Sequence, residues 1–283
     1  MTENDEPAFA PQGIDLERPN AARIYDWFLG GDANWAIDRE FGEKALKAMP
    51  HGKLNAHVNR EFLGRAVTYA VRHGVTQFLD LGSGVPTVGN VHQVADRLDP
   101  DSRCVYVDNE PVAVAHSRIL LEENGDPSRH AVLNADMRDV ERVWTEAFET
   151  GVLDPAKPIG LLMVAVLHFV SPEDGGEAAV ERYRALLPPG SLLIMSHGTT
   201  DGVPPEHLVQ LEAVHEQYKQ SSTPITLRSR AEFTALFGDF ALVDPGVVWL
   251  PQWRLDEAES EATAEVAHNP PASFMLGGVA RKG

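Results

Sequence analysis

The chain predicts an α/β fold: a doubly wound, mainly parallel seven-stranded sheet with an antiparallel C-terminal strand and an N-terminal helical cap. Three observations predict it. Roughly the first 73 residues carry apolar side chains at helical spacing; from Gly74 to about Ser196 short apolar runs alternate with helical segments; and the final third breaks that rhythm with two helices followed by two late strands. Strongly apolar strands joined by helical crossovers require a parallel sheet covered on both faces.

Residues 1–13 hold two prolines and no apolar periodicity, which predicts a disordered leader; a helical cap over 14–73 and a sheet domain over 74–283 follow. Pro19 stands where a first helical turn tolerates proline, and Ile24, Tyr25, Phe28 and Leu29 recur at helical spacing before Gly30-Gly31 ends the run. Further cap helices are predicted over 38–49, closed by Pro50, and 55–72. Strands are predicted over 75–81, 103–108, 130–136, 159–169 and 191–196, with helices over 90–98, 111–123, 140–150 and 175–187 between them. Helices over 205–220 and 229–237 and strands over 240–249 and 274–281 complete the chain. The stretch 256–271, with five acidic residues and two prolines, reads as a solvated loop.

Composition narrows the function. With 24 Lys and Arg against 42 Asp and Glu, the net charge of −18 repels phosphate backbones and anionic lipid, so neither nucleic acid nor a membrane is the expected partner. The single cysteine, Cys104, excludes an intrachain disulfide. The longest apolar stretch, 159–170, falls short of the roughly 18 residues of a bilayer span, and the acidic N-terminus is unlike a signal peptide. A cytoplasmic protein is expected; its oligomeric state is not legible.

In a doubly wound sheet the ligand lies beyond the C-terminal strand ends, where strand order reverses. After the first strand comes Asp80-Leu81-Gly82-Ser83-Gly84, whose glycines allow a tight turn and close approach of backbone to a nucleotide. The second strand ends in Asp108, 24 residues beyond Gly84, placed to accept ribose hydroxyls. The third glycine of a dinucleotide fingerprint is replaced by Thr87, and no P-loop occurs. The Asp80 carboxylate would repel a pyrophosphate and hold an ammonium group, which favours S-adenosylmethionine. At the end of the third strand Asp136 offers a carboxylate to the adenine amine and Met137 a thioether to the ring.

With these residues the chain resembles the class I S-adenosylmethionine-dependent methyltransferases, and more closely the bacterial S-adenosyl methyltransferase family. Its signatures include residues 18–26 (Arg-Pro-Asn-Ala-Ala-Arg-Ile-Tyr-Asp), Leu29-Gly-Gly31, Asn34, Asp38-Arg39, Asn59-Arg60, 77–84, Pro86-Thr87, 89–92, Tyr106-Val-Asp108, Leu167-His168 and Ser196-His197. The resemblance implies cofactor contacts at Gly82, Ser83, Gly84, Asp108, Asp136 and Met137. It also implies that the segment from Tyr25 through Gly30 to Asn34 closes over the methionine end as a lid hinged at Gly30-Gly31. Asp80, Thr87, Asn90, Asn109 and Ala165 complete the candidate cofactor set.

For the transfer itself, the fourth and fifth strands end in His168 and His197, either of which could act as a general base. Adenine and glutamine N-methyltransferases carry [DN]-P-P-[YF] where this chain has Ala165-Val166-Leu167-His168, which disfavours amide-type chemistry. No G-x-S-x-G forms around Ser83, and the remaining histidines lack metal-ligand spacing, so neither a hydrolase nor a metal site is expected. The reading is a methyltransferase for a small-molecule acceptor. Its alternatives are a non-catalytic S-adenosylmethionine-binding protein and, less favoured because of Thr87 and Asp80, a nucleotide-linked oxidoreductase.

Overall fold

The computed structural model describes residues 14–255 and 261–283; the predicted leader at 1–13 lies outside the described residues. Three helices come first: α1 (Ala21–Phe28), opened by the Asn20 side chain accepting from Ala22 N–H, α2 (Ala36–Ala48) and α3 (Gly52–Arg72). The sheet then builds from β1 (Gln77–Leu81), β2 (Arg103–Asp108), β3 (His130–Asn134), β4 (Gly160–Val164) and β5 (Leu192–Gly198). Between these strands run α4 (Val91–Asp96), α5 (Pro111–Asn124), α6 (Val140–Glu149) and α7 (Gly176–Leu186). After β5 come α8 (Pro205–Tyr218), α9 (Arg230–Ala235), β6 (Ala241–Leu242), β7 (Val248–Trp249), α10 (Glu261–Val266) and β8 (Met275–Arg281).

Strand order is β3-β2-β1-β4-β5-β8-β6, parallel from β3 to β5; β8 runs antiparallel to β5, and β6 and β7 both pair with β8. The order reverses between β1 and β4. Alternation along each strand divides the core in two. Leu79, Leu81, Val105, Leu161 and Met163 face α6, α7 and α9, where they meet Val143, Tyr183 and Phe233. Phe78, Tyr106, Leu162 and Ile194 face the other way, against Phe62, Ala66 and Ala70 of α3. By the same alternation Asp80 points to the α3 side. The helices α1, α2 and α8 meet one another through Ile24, Phe41, Val214 and Tyr218, with the Phe41 and Tyr218 rings edge to face at 5.0 Å.

The structure corrects three expectations. The sheet has eight strands rather than seven, because 240–249 is divided by a turn around Pro245 and Gly246 into β6 and β7, in register with Ala280 and Leu276 of β8. The fourth strand stops at Val164: Ala165 takes φ of 55°, a left-handed conformation that ends the ladder, and Leu167–Phe169 form a 3-10 turn. Part of the stretch expected as a solvated loop is α10, docked on α3. There the Glu61 carboxylate accepts from Ala262 N–H, Thr263 N–H and the Thr263 hydroxyl, taking up donors that a helix N-terminus otherwise leaves unpaired.

Arg65 of α3 holds the C-terminal segments to the sheet. Its guanidinium is fully buried and donates to Trp253 O (2.8 Å), Leu250 O (2.8 Å) and Thr263 Oγ1 (3.2 Å); burial lowers its pKa to about 10, and Glu61 nearby opposes that shift. A methionine of similar length would leave two buried carbonyls unpaired. Arg65→Met is therefore expected to cost on the order of 3 kcal/mol in urea unfolding at pH 7, whereas Arg97→Met at the end of α4 should shift the midpoint little.

Candidate active site

The reversal between β1 and β4 opens a cavity of about 460 Å³ at the C-terminal strand ends. Its floor is the turn after β1. Gly82 and Gly84 both adopt φ of 67°, and the N–H groups of Gly82 and Ser83 share the Val107 carbonyl of β2. A Cβ on Gly82 would lie 2.2 Å from Val166 Cγ2, so this glycine is demanded by packing as well as by conformation; a Cβ on Gly84 would meet nothing within 4 Å. The Ser83 hydroxyl is buried without a hydrogen-bond partner.

Carboxylates stand at three strand ends. Asp108 accepts from Gly84 N–H and Glu110 N–H at 2.8 Å each, so it fixes the β1 turn to the β2 end; burial still pushes its pKa up. Asp80 is only 3% exposed, and no hydrogen bond to its carboxylate is made among the described residues. Burial raises it to about 7, with Arg60 opposing and Asp108 reinforcing the shift. Asp136 differs: Arg138 binds both its oxygens, Nη2 at 2.6 Å from Oδ2, and keeps its pKa low. Asn109 and Met137 lie beside these acids on the cavity wall.

A continuous chain of donors and acceptors joins the far side of the cavity. The N–H of Ala165 donates to Ser196 Oγ (2.9 Å), Ser196 donates to Asn59 Oδ1 (2.7 Å), Asn59 Nδ2 donates to Tyr25 Oη (2.9 Å), and Tyr25 donates to the Ala56 carbonyl (3.0 Å). Four elements are thereby locked: the β4 end, β5, α3 and α1. The left-handed Ala165 is held by this chain, the kind of strained residue that clusters at functional sites.

Eleven of the sixteen residues singled out from the sequence as cofactor or catalytic candidates line this cavity: Tyr25, Asp80, Gly82, Ser83, Gly84, Asp108, Asn109, Asp136, Met137, Ala165 and His168. Five do not, and each has a structural task. Asn34 Nδ2 and Thr87 Oγ1 both donate to the buried Asp26 carboxylate, at 2.9 and 2.8 Å. Gly30 ends α1 at φ of 82° with open space where a Cβ would stand, whereas the place of a Gly31 Cβ is filled by the Asp26 carboxylate, so Gly31 is held by packing and Gly30 by its backbone conformation. Asn90 opens α4, donating from backbone and side chain to Gln93 Oε1. His197 is fully buried: Nδ1–H donates to Gly198 O and Nε2 accepts from Arg228 Nη1, both at 2.7 Å. With its lone pair committed and its pKa lowered to about 4, chiefly by burial, it is a strut for Arg228 and not a base.

His168 sits in the 3-10 turn rather than at a strand end. Its Nδ1 is buried and unpartnered, and burial, together with His197 and Arg228, holds its pKa well below the usual value. Sequence reasoning missed the apolar part of the lining. Phe28, Met49, Phe169, Val214, Tyr218 and Ile225 supply it, and Asn55, whose amide atoms have no partner, lines the cavity with them. It also gave no role to Asn59 and Arg60, although the helical spacing of Ala56, Asn59, Arg60 and Leu63 places them on one face of α3. Among the described residues no three His, Cys, Asp or Glu side chains are grouped to hold a metal, and no helix is long and apolar enough to cross a membrane.

A parallel sheet reversing between β1 and β4, with antiparallel strands at the C-terminal edge, is the architecture of the class I methyltransferases. The chain belongs to the S-adenosyl methyltransferase family, whose profile matches residues 7–283, and its cofactor is accordingly S-adenosylmethionine. It is similar to the crystal structure of a candidate methyltransferase from Thermobifida fusca YX, at 35% identity and TM-score 0.84 over 97% of this chain and 99% of that one. A DUF574 family protein from Streptomyces avermitilis MA-4680 is similar at 35% identity and TM-score 0.86, over 95% and 99% of the two chains. An O-methyltransferase family protein from Burkholderia thailandensis shares the fold, at 14% identity and TM-score 0.52 over 85% and 62%. No match is found among the curated proteins.

The two glycines of the floor predict different costs. Gly82→Ala must displace Val166 and adopt a left-handed conformation, and is expected to lose about 3 kcal/mol; Gly84→Ala bears only the conformational cost, about 1 kcal/mol. Paired denaturant titrations check the order.

Proposed function

We propose that the protein transfers a methyl group from S-adenosylmethionine to a small, largely apolar acceptor. The observation that carries this reading is a single cavity with two unlike ends: glycines, Asp80 and Asp108 at one, and the apolar wall of Phe28, Met49, Phe169 and Tyr218 at the other. The residues fit the cofactor. The Ser83 hydroxyl lacks a partner, Gly84 leaves its side-chain space empty, and Asp80 is a buried carboxylate without a hydrogen bond, the match for an ammonium group. Asp108, already oriented by two backbone N–H groups, keeps acceptor capacity for ribose hydroxyls. Met137 would pack beside the adenine, with Asp136 and Asn109, also in the lining, supplying polar groups for its edge.

When bound, the cofactor supplies a methyl group on a positively charged sulfur, already activated toward nucleophiles. The protein then has to orient an acceptor and exclude water. The apolar wall does both. Its size, in a cavity that also houses the cofactor, restricts the acceptor to a small molecule, and the net charge of −18 disfavours polyanions. His168 lines the cavity, and burial, with His197 and Arg228 beside it, keeps its ring neutral at pH 7; its low basicity makes it a hydrogen-bond acceptor that orients an acceptor O–H or N–H and takes a proton only as the nucleophile reacts. The helices α1 and α2, with α8, act as the cap over the acceptor end.

Asp80 makes the reading testable through pH. In the free protein its carboxyl is half-protonated near 7, and an ammonium partner favours the ionised form, so binding releases a proton below that pH. The affinity for S-adenosylhomocysteine is expected to be flat above pH 7 and to fall by up to tenfold per unit as pH drops below it. Glu110, which also lines the cavity and is also raised to about 7, titrates in every variant, so the difference between wild type and Asp80→Asn isolates Asp80. Asp80→Asn should bind at least tenfold more weakly at pH 8 and lose that slope. Equal affinities and parallel profiles by calorimetry would remove Asp80 from the cofactor site.

A further inference from the structure

Arg60 projects from α3 into the same cavity, one helical position beyond Asn59. Its Nε is buried without a partner, and among the described residues its guanidinium makes no hydrogen bond and no ion pair within 4 Å. The other arginines of this end of the molecule are committed. Arg23 pairs with Asp38 at 2.9 Å, Arg138 with Asp136 and Arg228 with His197. A half-buried guanidinium without a counter-ion is costly, because the desolvation is not repaid.

Asp80 is the complementary anomaly. The alternation of β1 turns it to the α3 side, and Arg60 is the cation that opposes the effect of burial on its carboxyl. The two charges feel one another and still do not pair. Opposite charges standing apart in one wall are the complement of a zwitterion, with the ammonium at the carboxylate and a carboxylate at the guanidinium.

We propose that Arg60 and Asp80 together read an α-amino-acid group, with Arg60 holding its carboxylate. This rests on the reading of the cavity as the cofactor site, and it deepens it: the protein selects its cofactor by the charge pattern of the amino-acid end as well as by the nucleoside. Arg60 is tethered only by its helix, and Asn59, its neighbour in sequence, fixes that helix to Ser196 and Tyr25, so the guanidinium is presented from a rigid backbone.

Three probes separate the parts of the pattern: S-adenosylhomocysteine carries both charges, its decarboxylated analogue keeps only the amine, and 5′-methylthioadenosine has neither. Calorimetric titration of the wild-type protein should rank them in that order. Arg60→Gln should weaken S-adenosylhomocysteine at least tenfold and leave the other two within about twofold, with Arg60→Lys intermediate. Should Arg60→Gln fail to fold, as judged by its thermal transition, Arg60→Lys carries the same comparison with a smaller expected loss of about threefold, confined to S-adenosylhomocysteine. An equal loss for all three probes would make Arg60 a structural residue, and no loss for any would assign its charge elsewhere; either overturns the proposal. Wild-type protein that binds none of the three would instead overturn the cofactor site on which the proposal rests.

Discussion

Asn59 is the side chain on which the geometry of the cavity depends. Its carbonyl accepts from Ser196 and its amide donates to Tyr25, so a single buried residue closes the path from the left-handed Ala165 at the end of β4, through β5 and α3, to α1. Every hydrogen in that path has one donor and one acceptor, and no rearrangement of a single member is possible without orphaning a neighbour. The sheet supplies the reversal that opens a crevice. The chain through Asn59 determines where α1 and α3 stand over it, and therefore which side chains form its walls.

Charge is distributed around this frame in a way that stability alone does not explain. Asp80 and Glu110 are raised to about 7, and Asp108 is raised as well, because burial removes water without supplying a full set of partners. Asp26 and Asp38 are buried too, but each carries a structural load: Asp26 receives Asn34 and Thr87, and Asp38 receives Arg23 and the N–H groups of Asn20 and Trp35. Burial raises Asp26 and Asp38 as well, but their oxygens are spent behind the cavity, whereas Asp80 stands in its lining with no hydrogen bond among the described residues. Such a division is what a binding site requires, since groups held ready for a ligand are destabilising until it arrives.

Much of the fold was legible because β1 to β5 are apolar runs bounded by glycine, proline or acidic turns, with crossovers of helical period between them. The errors have physical sources. The fourth strand was extended to 169 because Ala165-Val166-Leu167 is as apolar as the strand before it, and a left-handed φ leaves no compositional trace. The acidic 261–266 segment seemed solvated because Glu61, the carboxylate that takes up its helix N-terminus, lies 201 residues from Ala262. In the site, residues touching the cavity and residues supporting it carry the same kinds of side chain. Asn34 and Thr87 carry the same polar groups as ligand contacts, and only the folded chain brings both onto the buried Asp26. His197 was placed at the right strand end, but the Arg228 that disables it comes from another part of the chain. The apolar wall was unreadable because its residues come from α1, the end of α2, the 3-10 turn after β4, α8 and the segment after it, which meet only in three dimensions.

The central claim is that one cavity is divided into a nucleoside end and an acceptor end. A crystal structure of the protein grown with S-adenosylhomocysteine tests it most directly. The ribose hydroxyls are expected on Asp108, the amino-acid end beside Asp80, and the sulfur facing Phe28, Met49 and Phe169. A ligand bound with its adenine against that wall, or bound outside the crevice between β1 and β4, would contradict it.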